Sequence, residues 1–167
     1  EIGPARTTIK AIADRAGVER LTVYRHFADE GAIFAACDAH FRLEIPPPDP
    51  AAWAGIVDPA ERLGAALMAF YGFYRRGENL IANAERDAVG LPALAVVMAR
   101  RDAILAAVRE DLLAAWAVGD RSRTRLAAAI AHALRFDTWR SLARLEGLED
   151  AEAAELMVDL ARAAAAS

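Results

Sequence analysis

The sequence holds one cysteine, one lysine, three serines and three histidines among its 167 residues. A single cysteine, Cys37, excludes an internal disulfide framework and suits a reducing compartment. On a helix it would lie one turn from Ile33 and Phe41, which reads as a small buried hydrophobe rather than a nucleophile. The few serines and histidines fall into no nucleophile–base pattern, and there is no glycine-rich phosphate loop and no metal-ligand spacing. The sequence therefore nominates no catalytic residue, no metal ligand and no cofactor, and an enzyme is not expected. No apolar run approaches the ~18 residues of a membrane span. Nor does a charged start followed by an apolar stretch mark a signal peptide. A soluble, cytoplasmic protein without a membrane partner is the expectation.

Strand signals are also scarce. β-Branched residues are sparse, whereas alanine and leucine, both strong helix formers, dominate. An all-α fold follows. Residues 7 to 41 show three short helical patterns with tight breaks. Thr8 can cap a helix through Ile9, Ile12, Ala13 and Ala16, with Gly17 as a left-handed stop. A very short helix would occupy Arg20 to His26, anchored by Val18, Val23 and Phe27. Asp29 can cap a third, with Ile33, Phe34, Cys37 and Phe41 on one stripe. The prolines of IPPPDP, 45 to 50, end that helix. This predicts a head at 1–44, a linker at 45–57 and a helical body at 58–167.

In the body, Asp58-Pro-Ala-Glu61 is a helix start, with a cap, a first-turn proline and an acid. The stretch LGAALMAFYGFY that follows is apolar on every face, so it should be central and buried. Gly77, or Gly90 with Pro92, should break it. Further helices are expected over about 92–117, about 122–145 and about 150–165, with stops at Gly119 and Gly147.

The chain is acidic, at net −4. Residues 7 to 41 sum to −1, yet between 20 and 26 there are two arginines and no acid. A small basic face on an acidic body escapes the total. A helix, a glycine turn and a second short helix make a helix-turn-helix, whose second helix enters the major groove. Hydroxyl, guanidinium and imidazole groups there suit phosphates and base edges.

The run TTIKAIADRAGVERLTVYRHFADEGAIFAA resembles the DNA-binding region of the Tet repressor family of bacterial transcriptional regulators. The marks are Thr7-Thr8, Ile12-Ala13, Ala16-Gly17-Val18 and T-V-Y-R-H-F at 22 to 27. A looser likeness, FDTWRSLARLEGL at 136 to 148, is similar to that family's penultimate helix. The resemblance implies a helix-turn-helix head on a body that binds a small hydrophobic inducer and forms a homodimer through its last two long helices. It also implies repression of a palindromic double-stranded DNA operator. The DNA-contacting residues it points to are Thr8, Lys10, Arg20, Leu21, Thr22, Tyr24, Arg25 and His26. Three departures stand out. The family's further helix before the paired threonines is missing, either lost or preceding the sequence given, so Ile12, Val23 and Phe34 would lack a packing partner. Glu30 stands where a phosphate-contacting lysine is usual. Glu19 stands where serine is common, which weakens the cap of the short helix.

For the inducer, the candidates are Leu67, Phe70, Tyr71, Tyr74, Met98, Trp116, His132 and Phe136, apolar walls with a few orienting polar groups. Each is equally at home as plain core, and His132 as a satisfied interface residue. On the 122–145 segment, Leu126, Ile130, Leu134 and Leu142 form one stripe. Ala129, Phe136, Trp139 and Ala143 form another, so one can pack inward and the other on a partner, beside Leu156 and Leu160. A different class of protein stays open: a helical ligand-binding or interaction protein whose head no longer binds DNA.

Overall fold

The structure, a computed structural model, describes residues 3–166, all helix and connecting segments. After a 3-10 turn at Pro4–Arg6 come α1 (Ile9–Ala16), α2 (Arg20–His26), α3 (Glu30–Glu44) and α4 (Ala51–Ala54). The long α5 (Pro59–Ala88), α6 (Pro92–Ala114), α7 (Asp120–Ala133), α8 (Phe136–Arg140) and α9 (Asp150–Ala165) follow, with a π-helical turn, Ser141–Leu145, extending α8. The chain is all-α, a helix-turn-helix head followed by a helical body.

The caps are those that the sequence signals. Thr8 accepts the Ala11 N–H and Asp29 the Ala32 N–H. Asp58 accepts the N–H groups of Ala60 and Glu61. At α9, Glu149 and Glu152 form a reciprocal capping box.

Two compact units differ from a contiguous head and body. One contains residues 1–46 together with 77–101, the other 47–76 together with 102–167. α5 is not broken at Gly77 but runs on to Ala88, and the break comes at Gly90 and Pro92. Glycine at 77 serves packing instead. A Cβ there would lie 2.7 Å from the tip of the Phe41 ring. In the same unit the Ala5 N–H donates to Asp87 Oδ2 at 2.9 Å. The neighbouring Arg86, donating to Asp87, and this amide hold the Asp87 carboxyl below its usual range.

Cys37 is exposed, not buried as expected. The half-buried face of α3 runs through Phe34, Asp38 and Phe41 to Ile45 at its C-cap. That line passes to one side of Cys37, and Asp38 belongs to it because Arg42 pairs with it at 3.0 Å.

In the second unit the core is Trp53, Leu63, Leu67, Tyr71, Tyr74, Leu112, Leu126, Ile130, Leu134 and Trp139, all fully buried. The segment at 122–145 is not one helix. Leu134 ends α7, and Arg135 is extended at φ −76°, ψ 143°. Neither proline nor glycine causes this break. Three hydroxyls capture the carbonyls it releases: Thr138 Oγ1 donates to His132 O at 2.6 Å, Tyr71 to Ala133 O at 3.0 Å and Tyr74 to Leu134 O at 2.6 Å. The interruption rolls Phe136 and Trp139 inward, so both stripes foreseen on this segment are covered within the subunit, with only Leu142 half-buried. Neither is left for a partner. Trp139 donates to Asp150 at 2.8 Å, and Asp150 also receives a two-pronged bond from Arg75 at 2.8 and 2.7 Å.

Candidate nucleic-acid interface

α1 ends where Gly17 turns left-handed, at φ 65°, ψ 31°, a conformation that costs glycine nothing and other residues strain. The Val18 N–H reaches back to Ala13 O at 3.0 Å, closing a Schellman-type stop that fixes the angle at which the chain leaves α1. α2 then begins at Arg20 without a side-chain cap from Glu19. The Thr22 N–H bonds the Glu19 carbonyl instead, at 2.9 Å.

Val23 is the buried anchor of α2, facing the α1 side where Ala13 is buried. Ile12 and Phe34 are only half-buried, as a thin head core would leave them. Val18, expected as an anchor, is 41% exposed. Its amide is committed to the turn, which aims the side chain outward, and Phe27 is half-buried at the far end.

With Val23 pinned inward, the helical period sends the rest of α2 outward. Arg20, Leu21, Tyr24, Arg25 and His26 are exposed and Thr22 is half-buried. Leu21 and Tyr24 are 56% and 51% exposed, which is costly for apolar and aromatic surface unless something covers it. Thr8 and Lys10 are exposed at the start of α1. Among the described residues Lys10 is held only by an exposed i,i+4 contact with Asp14 at 3.8 Å, a pairing of the weak kind that a phosphate can displace. Glu30, exposed at the first position of α3, is the one acid in that helix's first turn. The fold thus presents one short helix whose outer face is cationic, hydroxyl-bearing and aromatic.

Residues 1–37 match the family model described as bacterial regulatory proteins, tetR family. The head is thus similar to the DNA-binding region of that family. The match supports a DNA-binding transcription regulator, and members of this family are regulators and not enzymes. No curated protein and no solved structure matches the chain. No helix of the described residues is long and apolar enough to cross a membrane.

The candidate inducer residues are distributed differently. Leu67, Phe70, Tyr71, Tyr74 and Phe136 come together in the body, all buried. Ring centroids lie 5.9 Å apart for Phe70–Tyr74, 5.5 Å for Tyr74–Phe136 and 5.6 Å for Phe136–Trp139. Burial pushes the Tyr71 hydroxyl well above its ordinary pKa, and the nearby Asp150 charge adds to this. Met98 falls in the unit that contains the helix-turn-helix head, half-buried. Trp116 is half-buried, and His132 is exposed beside a surface cleft lined by Arg135, Asp137, Thr138 and Ser141. Sequence reasoning missed Trp53, an aromatic residue inside a proline-bounded segment read as linker. It also missed Asp87, whose amide partner lies 82 positions away.

Proposed function

We propose that this protein is a ligand-responsive transcriptional repressor that binds a palindromic operator as a homodimer and leaves it when a small hydrophobic inducer binds the body. The observation that carries this reading is the outward face of α2, on which Arg20, Leu21, Tyr24, Arg25 and His26 are exposed beside the half-buried Thr22. Lys10 and Thr8, at the start of α1, supply positioning contacts to the phosphate backbone.

Dimerisation draws its support from the outer surfaces of α7 and α9. Leu156 and Leu160 are 46% and 44% exposed and lie one turn apart on α9, among Glu152, Glu155 and Asp159. Along α7 the exposed residues at helical spacing are Arg121, Arg125, Ala128 and His132. An apolar strip with acids on one helix and arginines on the other is self-complementary under a two-fold axis, because each α7 can meet the partner's α9. For the inducer, support comes from the aromatic cluster around Phe70, Tyr74 and Phe136. Its ligand would release DNA only by binding the DNA-incompetent state more tightly.

A second reading, a helical ligand-binding protein with a head that does not bind DNA, is favoured by the exposed carboxylate of Glu30 where a phosphate would approach. One experiment separates the two. DNA flanking the gene is searched for palindromes with half-sites about one helical turn apart, or a multiple of it. Each fragment is then tested by gel shift against the full-length chain. Retention of one palindromic fragment over scrambled competitor is expected, and no preference for any flanking fragment would favour the second reading.

A further inference from the structure

Apart from the buried Val23, every residue of α2 but one carries a hydrogen-bonding or charged side chain: Arg20, Thr22, Tyr24, Arg25 and His26. The exception, Leu21, has neither donor nor acceptor in its side chain and is 56% exposed. A lone exposed leucine on an ordinary surface carries no message, because apolar atoms make up much of any protein surface. Its place on this helix gives it one. At about 3.6 residues per turn, a separation of two positions turns a side chain by roughly 200°, so Leu21 points away from Val23, the buried anchor of α2. Arg25, two positions beyond Val23 and one turn from Leu21, falls on the same outermost line. Whatever α2 meets, it meets first with this leucine and this guanidinium.

We infer that Leu21 reads the 5-methyl group of a pyrimidine in the major groove, so that the operator half-site holds a thymine there and accepts 5-methylcytosine in its place. The inference rests on the proposal that α2 enters the major groove of an operator, and it names the base chemistry that one residue selects. A phosphate gives an aliphatic chain nothing, since its charged oxygens would lose water and gain no hydrogen bond. In the major groove guanine, adenine and cytosine present donors and acceptors, whereas thymine adds a methyl group at C5. Leucine gains by burial against that methyl, and against any other base it only shields a polar edge from water. Arg25, on the same line of the helix, suits guanine O6 and N7 in the same groove. Cytosine methylated at C5 carries the same group at the same place on the ring. The two pyrimidines differ at C4, where thymine has an oxygen and cytosine an amino group, and leucine hydrogen-bonds to neither. Methylation of an operator cytosine at this position is thus a mark that α2 senses, and it tightens the hold of the head on DNA.

The test uses the full-length chain and the palindromic fragment that it retains in the gel shift. Each thymine of a half-site, with its two-fold mate, is replaced in turn by deoxyuridine, which pairs alike and lacks only the methyl. At one position the affinity should fall about fifteenfold, the product of about fourfold for a buried methyl in each of two half-sites. At that position a fragment with 5-methylcytosine should bind about fifteenfold more tightly than one with cytosine. Both ratios should fall to near one in Leu21→Ser and persist in Leu21→Met, which keeps an apolar tip. If no exchange of thymine for deoxyuridine changes the affinity, the inference is overturned while operator binding stands. Ratios that persist in Leu21→Ser would also overturn it and hand the methyl to another side chain, such as that of Thr22. A chain that retained no fragment would take the regulator reading down with the inference. Leu21 lies outside the head's core, so its variants should keep the wild-type circular dichroism; if Leu21→Ser does not, Leu21→Gln repeats the test with a stronger helix former. Equal binding of cytosine and 5-methylcytosine fragments by the wild-type chain would refute the inference without any variant.

Discussion

Replacing Glu30 with lysine sets two physical effects against each other on one exposed side chain. Glu30 is the first residue of α3, directly after the Asp29 cap. The cap itself survives the change, because Asp29 bonds the Ala32 amide at 2.8 Å without help from residue 30. What is lost is the attraction between a carboxylate and the helix N-terminus, worth ~0.3–1 kcal/mol at an exposed site, and the ammonium adds a repulsion of similar size. In a chain of this length each kcal/mol lowers Tm by roughly 2–4 °C, so the melting temperature should fall by a few degrees. DNA binding should move the other way. One new phosphate contact steepens the salt dependence by ~0.9 per head, hence ~1.8 for a dimer with two heads. The assay is a pair of titrations, wild type and Glu30→Lys, on one operator fragment over a range of salt concentrations, with melting curves alongside. Equal salt slopes would mean that residue 30 stays away from the backbone, and the docking of α2 in the groove with α3 behind it would have to be abandoned.

In the same interface, Tyr24→Phe should weaken binding to every sequence alike, whereas Arg20→Ala should relax base preference; competition with half-site variants separates the two patterns. Tyr74→Phe removes the donor to the buried Leu134 carbonyl and should cost about 1–3 kcal/mol in denaturant unfolding; a change below the measurement error would mean that the break between α7 and α8 does not depend on it. Asp150 is held below its ordinary range, first by Arg75 and then by Trp139, so its contribution is present above the unfolded-state value near 4 and disappears as pH falls through the lower folded value. Acid unfolding should therefore be less steep below about pH 4 in Asp150→Asn than in wild type, and superimposable curves would refute this. Leu156→Glu with Leu160→Glu should convert the proposed dimer to monomer by light scattering at micromolar concentration; an unchanged mass would place the interface elsewhere.

How much of this was legible beforehand varies with the range of the interaction. Caps and stops are local, so Thr8, Gly17, Asp29, Asp58 and Gly147 could be placed from neighbours a few residues away, and α2 falls where its pattern puts it. The break at Leu134 and Arg135 could not be foreseen, because two of the three hydroxyls that satisfy its carbonyls belong to tyrosines 60 or more positions earlier and leave no local signature. Gly77 misled for the converse reason: glycine in a helical pattern reads as a breaker, but here it makes room for Phe41. The outward set on α2 was readable from period and resemblance together. The body's candidate residues were not separable into core and pocket, since apolar periodicity records burial and is silent about what does the burying.

The course of α5 bears on how this protein could be taken apart. Its first half belongs with the body and its second half, from Gly77, with the head. A gene fragment ending at Pro46 would leave Phe41 without Gly77 and Ala5 without Asp87, stripping the head of the surface it rests on. Shuffling this head onto another body would thus fail as a simple splice at the prolines. The transplant has to bring along the hairpin at 77–101, a second and non-contiguous insert. Recombination between relatives would meet the same obstacle, so the head and that hairpin should be inherited together.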